Sequence, residues 1–288
     1  MSVSANQIPR GASLWSSRLA LFALLLIAVA LILHRFLGMP TAVAFNVLAV
    51  AVIIAALAIL LGLYAMIGVW RRGLPGAARI LLGVGLGLAI LLVPALVVVA
   101  ARGYPALNDV TTDRANPPAF VALAALRKGS ANPAAYPGNK FSARQQEAYP
   151  DLEPMIVNRS VSETFDLVMV SLKRLNLEVV REEPPTDDVP VGKAEAVDRT
   201  LVLGFYDDVA VRVTGDETSA RIDLRSASRY GRSDFGQNAE RLRLIMREIV
   251  GRLEATVPVA GTRSAEPSGK KSLKQKKNAD REKGAGRR

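Results

Sequence analysis

Three long runs of apolar side chains dominate the first hundred residues. Residues 43–69 and 80–101 are almost uninterrupted apolar runs, and residues 15–36 form a shorter run with an arginine near each end. A helix needs roughly 20 apolar residues to cross the hydrocarbon core of a bilayer. The pattern therefore predicts a membrane region over residues 1–101 with three transmembrane helices.

The first apolar run has a second interpretation. Its basic start, short apolar centre and small residues Ala28 and Ala30 are also typical of a cleaved signal peptide. The apolar residues continue past this point to Leu33. A retained span is therefore the preferred interpretation, and a cleaved signal peptide is the alternative.

The pattern changes after the third run. Residues 102–154 contain seven prolines and few periodic stretches, which predicts an extended segment that wraps a core or spaces it from the membrane. Residues 155–257 show regular patterns again. Apolar and polar side chains alternate over residues 209–213 and 220–226, as expected for strands with one buried face.

Two helices flank these strands. Ser160 and Glu163 have the spacing of a capping box at the start of the first helix. Apolar residues spaced by four and three from Phe235 to Leu253 predict a long final helix. The fold class expected after the α-helical membrane anchor is therefore α+β, with a mainly antiparallel sheet and helices on one face.

Charge is distributed unevenly along the chain. The formal net charge of +11 divides into +6 from residues 1–101, −2 from residues 102–262 and +7 from residues 263–288. The folded domain is thus close to neutral, which argues against nucleic acid as a partner. Residues 258–288 lack apolar periodicity and predict a disordered basic tail. Such a tail either contacts anionic lipids or polymers or is a solvated chain end.

Arginines predict the orientation in the membrane. Arg10, Arg18, Arg71, Arg72 and Arg79 lie on the side shared by the N-terminus and the second loop. The positive-inside rule places that side in the cytoplasm. We therefore expect a multi-pass protein of the bacterial cytoplasmic (inner) membrane with its C-terminal domain exported to the periplasmic side.

Several kinds of chemistry lack the residues that they need. The chain contains no Cys, which excludes disulfide scaffolds, thiol nucleophiles and iron–sulfur sites. The single histidine, His34, lies at the end of the first span, and we interpret it as an interfacial polar residue. The spans contain no Asp, Glu or Lys that could form an ion path. No cofactor is expected.

Four stretches after the last span carry a family resemblance. They are Leu107–Asp113, Pro117–Phe120, Phe205–Val213 and Asp223–Ala239. In that order they resemble the bacterial domain-of-unknown-function (DUF) family 1499, over roughly residues 103–255. The family has no established activity, so the resemblance implies a domain without assigning chemistry to it.

The turn before the final helix is the strongest candidate site. Arginines beside the N-H groups of a helix start can bind phosphate or carboxylate. The alternative is an arginine–carboxylate network that fixes the turn to the sheet. The candidate ligand-binding residues are Arg225, Ser228, Arg229, Ser233, Asp234 and Asn238.

Two pairs of carboxylates are weaker candidates for a cation site. Asp207 and Asp208 lie between predicted strands, and Asp109 and Asp113 follow the last span. Oxygen ligands suit a hard cation. Aspartate is also common in turns, and adjacent strand residues point to opposite faces. We therefore assign no metal site.

The sequence predicts a binding or scaffold protein more readily than an enzyme. The leading hypothesis is a membrane-anchored cell-envelope protein that binds an anionic ligand or a protein partner. One alternative is an enzyme that acts on an envelope substrate through carboxylates, with or without a metal. The other is a nucleic-acid binder, if the domain is cytoplasmic. Expected partners are membrane lipids, a membrane or envelope protein and an anionic polymer or lipid at the tail.

Overall fold

The chain begins with three long helices. A computed structural model describes residues 7–73, 75–127, 129, 131–200 and 203–256, so the predicted tail over 258–288 lies outside the described residues. The helices are α1 (Gln7–Phe36), α2 (Thr41–Arg72) and α3 (Ala77–Ala101). Each contains a stretch that is long and apolar enough to cross a membrane. The expected three apolar helices are thus confirmed.

Small side chains bring these helices together. Ala55 and Ala58 of α2 are fully buried, and the hydroxyl of Ser16 in α1 donates to the carbonyl of Ala58 at 2.7 Å. Gly83 of α3 lies against the same turn of α1, where a Cβ atom would be 2.7 Å from the carbonyl carbon of Ser16. Small residues allow membrane helices to approach closely. Large side chains such as Leu92 point outward.

The rest of the described chain forms an antiparallel sheet with helices. The strands are β1 (Asp109–Thr111), β2 (Met155–Val157), β3 (Glu178–Glu183), β4 (Val191–Arg199), β5 (Tyr206–Gly215) and β6 (Ala220–Ser228). Their order is β1-β6-β5-β4-β3, and β2 pairs with the other half of the β6 edge. The helices are α4 (Asn139–Ala148), α5 (Val161–Arg174), α6 (Gln237–Thr256) and a 3-10 turn at Leu123–Leu126. The predicted α+β class is confirmed.

Helices α5 and α6 cover one face of the sheet, which we call the helix face. Ser160 begins α5 as predicted, since its hydroxyl accepts from the N-H of Glu163 at 3.2 Å. Phe165 of α5 packs directly on Gly192 of β4, where any larger residue would collide with its ring. On α6 the buried residues include Leu242 and Ile249, which belong to the predicted apolar stripe.

The Pro-rich segment covers the opposite face, which we call the loop face. Phe120 and Leu123 pack there against Val197, Ala210 and Ala227 of three neighbouring strands. The carboxylate of Glu195, on the same face, accepts from the backbone N-H groups of residues 121, 122 and 123 at 2.9–3.1 Å. Both faces of the central strands are therefore buried, and charged side chains such as Glu195 and Asp208 are enclosed as well.

One end of the sheet rests on the ends of α1 and α2. Arg199, the last residue of β4, donates to the carbonyls of His34 and Arg35 at 3.1 and 2.7 Å. The Phe205 ring lies 5.2 Å from the ring of Phe45 in α2. Guanidinium groups stabilise a helix C-terminus by neutralising its free carbonyls. We call this end of the sheet the membrane-proximal end.

Candidate functional site

The predicted site residues divide between the two faces of the sheet. Side chains alternate along β6, so Arg225 lies on the loop face while Ser226 and Ser228 lie on the helix face. Arg229, just after β6, also contacts loop-face residues. The structure therefore does not bring the six predicted residues into one site. It forms two polar clusters at the membrane-proximal end, one on each face.

Arg225 is the centre of the loop-face cluster. It is 2% exposed, and its guanidinium forms a two-pronged ion pair with Asp109 of β1 at 2.9 and 2.6 Å. It also donates to the carbonyls of Pro118 and Ala134 at 3.1 and 2.9 Å. The rings of Phe120 and Tyr136 lie 4.4 and 5.6 Å from the guanidinium carbon. Arg225 thus joins β6 to β1 and to the Pro-rich segment.

Asp208 forms the second ion-pair group on this face. Its carboxylate accepts from Arg127 at 2.8 Å and from Arg229 at 2.7 Å, and it is completely buried. Arg127 further donates to the carbonyls of Asn132, Pro133 and Ala227 at 3.0–3.3 Å. Four of its five N-H groups are engaged in these bonds.

A stack of side chains connects this cluster with the membrane helices. The guanidinium of Arg229 lies 5.2 Å from the ring of Tyr206, and that of Arg199 lies 5.0 Å from it. Cations are attracted to aromatic faces at such distances. Because Arg199 also binds the end of α1, the loop-face cluster continues into the contact with the membrane helices.

The helix-face cluster is held by Asn238 and Arg241 of α6. Asn238 donates to the hydroxyl of Ser228 at 3.0 Å and to the carbonyl of Asn108 at 3.2 Å. Its carbonyl oxygen accepts from Ser226 at 2.7 Å. Arg241 donates to Asp207 and Asp198, both at 2.7 Å.

Asp234 and Ser233 form the turn into α6. The Asp234 carboxylate accepts from the N-H groups of Gly236 and Asn238, both at 2.8 Å, as a helix cap does. Burial nevertheless raises the pKa of Asp234 above its ordinary value, against these hydrogen bonds. The Ser233 hydroxyl donates to the carbonyl of Pro105 at 3.2 Å. The N-H groups of residues 236, 237 and 238 at this helix start are thus engaged by the protein itself.

All four carboxylates considered as cation ligands accept from arginine. Asp109 pairs with Arg225, Asp208 with Arg127 and Arg229, and Asp207 with Arg241. Asp113 accepts from Arg212 and Arg221 at 3.0 and 3.1 Å. Among the described residues, no three His, Asp or Glu side chains converge as metal ligands would.

An open pocket of about 380 Å³ adjoins the loop-face cluster. We call it the loop-face pocket. Its polar lining residues are Asn108, Asp109, Arg127, Asn132, Tyr136 and Ser228. Its apolar lining residues are Pro133, Ala135, Pro137 and Ala227.

Burial raises the pKa of two acidic groups of the pocket. It raises the pKa of the Asp109 carboxyl, although Arg225 and Arg127 oppose that change. It also raises the pKa of Tyr136 to about 12, and the charge of Asp109 adds to this effect. Both groups therefore keep their protons to higher pH than they would in water.

Sequence reasoning named only two of the six polar residues that line the pocket. Asp109 and Ser228 were candidates, but Arg127, Asn132 and Tyr136 lie in the Pro-rich segment, where no periodic pattern distinguishes one residue from its neighbours. The signal that could have indicated these residues was the type of side chain found between the prolines. Aromatic and amide side chains between several prolines are unusual for a simple spacer, which needs only solvated residues.

Comparison with known proteins finds a family match for the domain but no activity. Residues 109–249 match the family described as "Protein of unknown function (DUF1499)", which confirms the resemblance found in the sequence. No curated protein matches the chain. The match and the three apolar helices together fit a membrane-anchored protein of unknown activity, with helices suited to lipid contact.

Proposed function

We propose that this protein is a binding module of the bacterial cell envelope and that its exported domain binds an anionic ligand in the loop-face pocket. The observation that carries the proposal is the charge beside the pocket. Three arginines, at positions 127, 225 and 229, face only two carboxylates, Asp109 and Asp208, in their ion pairs. The cluster has one excess positive charge.

That excess charge favours binding of an anion, because it is buried. The Arg225 and Arg127 side chains are each 2% exposed, so water screens their charges poorly. The pocket volume lies within the range of about 300–1,000 Å³ that is typical of small-molecule sites. A carboxylate or phosphate group is the complementary ligand.

The same ion pairs support binding over metal-assisted catalysis. A carboxylate that accepts from a buried guanidinium has fewer lone pairs left for a cation or a substrate proton. Asp208, with bonds from both Arg127 and Arg229, is the clearest case. The hypothesis of an enzyme that works through these carboxylates therefore gains no support from their geometry.

Phosphate binding to the purified full-length protein tests this proposal. Calorimetric titration in detergent, in phosphate-free buffer, uses inorganic phosphate as the probe. Ala135→Phe fills the pocket, and Ala125→Phe is the matched control, because Ala125 is exposed in the same segment but does not line the pocket. We expect saturable binding that Ala135→Phe abolishes and Ala125→Phe retains. Equal binding by both variants, or no binding by the unsubstituted protein, contradicts the proposal.

The exported orientation rests on the arginines beside the second loop and has its own test. Alkaline phosphatase fused after Leu253 is active only when it is exported, whereas a fusion after Gly73, in the second loop, serves as the cytoplasmic control. We expect activity in the first fusion alone. An inactive but well-expressed fusion after Leu253 would reverse the topology and favour the nucleic-acid alternative.

A further inference from the structure

The loop-face pocket lies beside the ends of the membrane helices. Asn108 and Asn132, which line it, both donate to the carbonyl of Gly231, at 2.6 and 2.9 Å. The preceding residue, Tyr230, places its ring 6.4 Å from the ring of Phe45 in the second turn of α2. One short loop therefore contacts both the pocket wall and a membrane helix near its end.

The lining of the pocket suits a ligand with both charged and apolar parts. Pro133, Ala135 and Pro137 form an apolar strip next to Arg127 and Asn108. Free phosphate would leave that strip exposed to water. A phosphate ester with a glycerol backbone and acyl chains would cover it, and covering apolar area stabilises the complex.

Basic residues also surround this end of the domain. Arg102 follows α3 directly, and Arg232 lies two residues beyond Tyr230; both side chains are exposed. Arginines next to a leaflet attract anionic lipids. The region around the pocket would therefore be enriched in anionic head groups where the domain meets the bilayer.

We infer that the loop-face pocket takes the phosphate-bearing head group of an anionic glycerophospholipid from the adjacent leaflet. This inference rests on the proposed anion-binding function and adds the source of the ligand. The arginine cluster supplies the attraction for phosphate, the proline strip contacts the glycerol and the first acyl carbons, and the contact of Arg199 with α1 keeps the pocket near the bilayer surface.

The absence of cysteine allows a direct test in the full-length protein. Ala131→Cys places one environment-sensitive fluorophore beside the pocket, next to the lining residue Asn132, and Ala125→Cys places the same fluorophore on the exposed 3-10 turn as a control. The labelled proteins are reconstituted into phosphatidylcholine vesicles. They are then titrated with inorganic phosphate, dihexanoyl phosphatidylglycerol or dihexanoyl phosphatidylcholine, with both lipids below their micellar concentrations.

We expect a saturable response at position 131 only, with phosphatidylglycerol binding about tenfold or more tightly than inorganic phosphate. Phosphatidylcholine should give no saturable response. Equal affinities for phosphate and phosphatidylglycerol would leave the anion pocket in place but overturn its assignment to a lipid. Equal responses to both lipids would overturn recognition of head-group charge. No response to phosphate or phosphatidylglycerol would contradict both the inference and the proposed function.

Discussion

The membrane helices and the sheet domain are held together by opposite kinds of side chain. The interior of the helix bundle contains alanines, glycines and a serine hydroxyl, and residues 1–101 include no acidic residue. The interior of the domain encloses arginine–aspartate pairs such as Arg225 with Asp109. In lipid, helices gain by close contact of small surfaces. In water, the domain can enclose charges only because each finds a partner.

This contrast predicts different weak points in the two regions. In the helix bundle, added volume should be damaging, because the contact surfaces are already at minimum distance. In the domain, removal of one charge should be damaging, because its partner remains buried.

Gly83→Leu should disrupt the helix bundle. A Cβ atom at Gly83 would lie 2.7 Å from the carbonyl carbon of Ser16 and 2.8 Å from the backbone nitrogen of Ser17, so the backbone of α1 would have to move. We expect a loss of about 3 kcal/mol or more, measured by unfolding in detergent followed by circular dichroism. Gly85→Leu is the matched control, because a Cβ there meets no atom within 4 Å. Equal stability of the two variants would refute close packing at Gly83.

Arg225→Ala should destabilise the domain by a comparable amount. It leaves the buried Asp109 carboxylate without its ion-pair partner, and removal of one member of a buried pair costs about 3–5 kcal/mol. Arg232→Ala is the control, because Arg232 is exposed, and its expected effect is within about 0.5 kcal/mol. Denaturant unfolding of the full-length protein measures both.

A double substitution shows whether the cost comes from the isolated charge. Arg225→Met combined with Asp109→Leu replaces the ion pair by apolar side chains. It should recover much of the stability that Arg225→Ala loses, since such replacements are often close to neutral. A double variant as unstable as Arg225→Ala would show instead that the hydrogen bonds to Pro118 and Ala134 carry the effect.

Glu195→Gln should release the Pro-rich segment from the loop face. The added amide N-H₂ group faces backbone N-H groups that need acceptors, which leaves at least one unsatisfied at a cost of about 1–3 kcal/mol. Hydrogen exchange at residues 121–123 should become faster, with little change in α2. Glu178→Gln, an exposed change on β3, is the control. Unchanged exchange at residues 121–123 would contradict the role of Glu195 as a cap.

Tyr136 should have the smallest effect, a change in the pH dependence of stability. Its pKa of about 12, raised mainly by burial from 10.0, means that the folded state holds this proton where the unfolded chain has released it. Stability should therefore fall as the pH rises from 10 towards 12, and Tyr136→Phe should remove that part of the fall. The difference in tyrosinate absorbance between the two proteins should show a step near pH 12. A step near pH 10 would contradict burial of this phenol.

Much of the fold follows from local pattern. The three apolar runs correspond to α1, α2 and α3, and the alternating residues 209–213 and 220–226 lie in β5 and β6. The final helix differs from the sequence prediction in one detail. Phe235, predicted as its first apolar position, precedes α6 with a φ of 56°, and burial in α6 begins at Asn238. The apolar stripe therefore located the helix but not its first turn.

The candidate site could be predicted only in part. The alternation of side chains in β6 predicted one buried face and one solvent-exposed face. Asp223 and Arg225 are nevertheless both buried, because a second layer covers the loop face. That layer is the Pro-rich segment, whose sequence has no period to indicate where it packs. Arg225 and Asp109 are 116 residues apart, and nothing local relates them.

The sequence indicated which segments are long and apolar enough to span a membrane, where β5 and β6 lie, and which residue types are available for chemistry. These properties depend on hydrophobic periodicity and composition, which act over a few turns or strand positions. The positions of Arg225 and Arg229 on the opposite face from Ser228, and the pocket beside Asp109, follow only from how the chain folds. Ion pairs and pockets form where segments that are distant in sequence meet, so the fold determines which charged residues become partners.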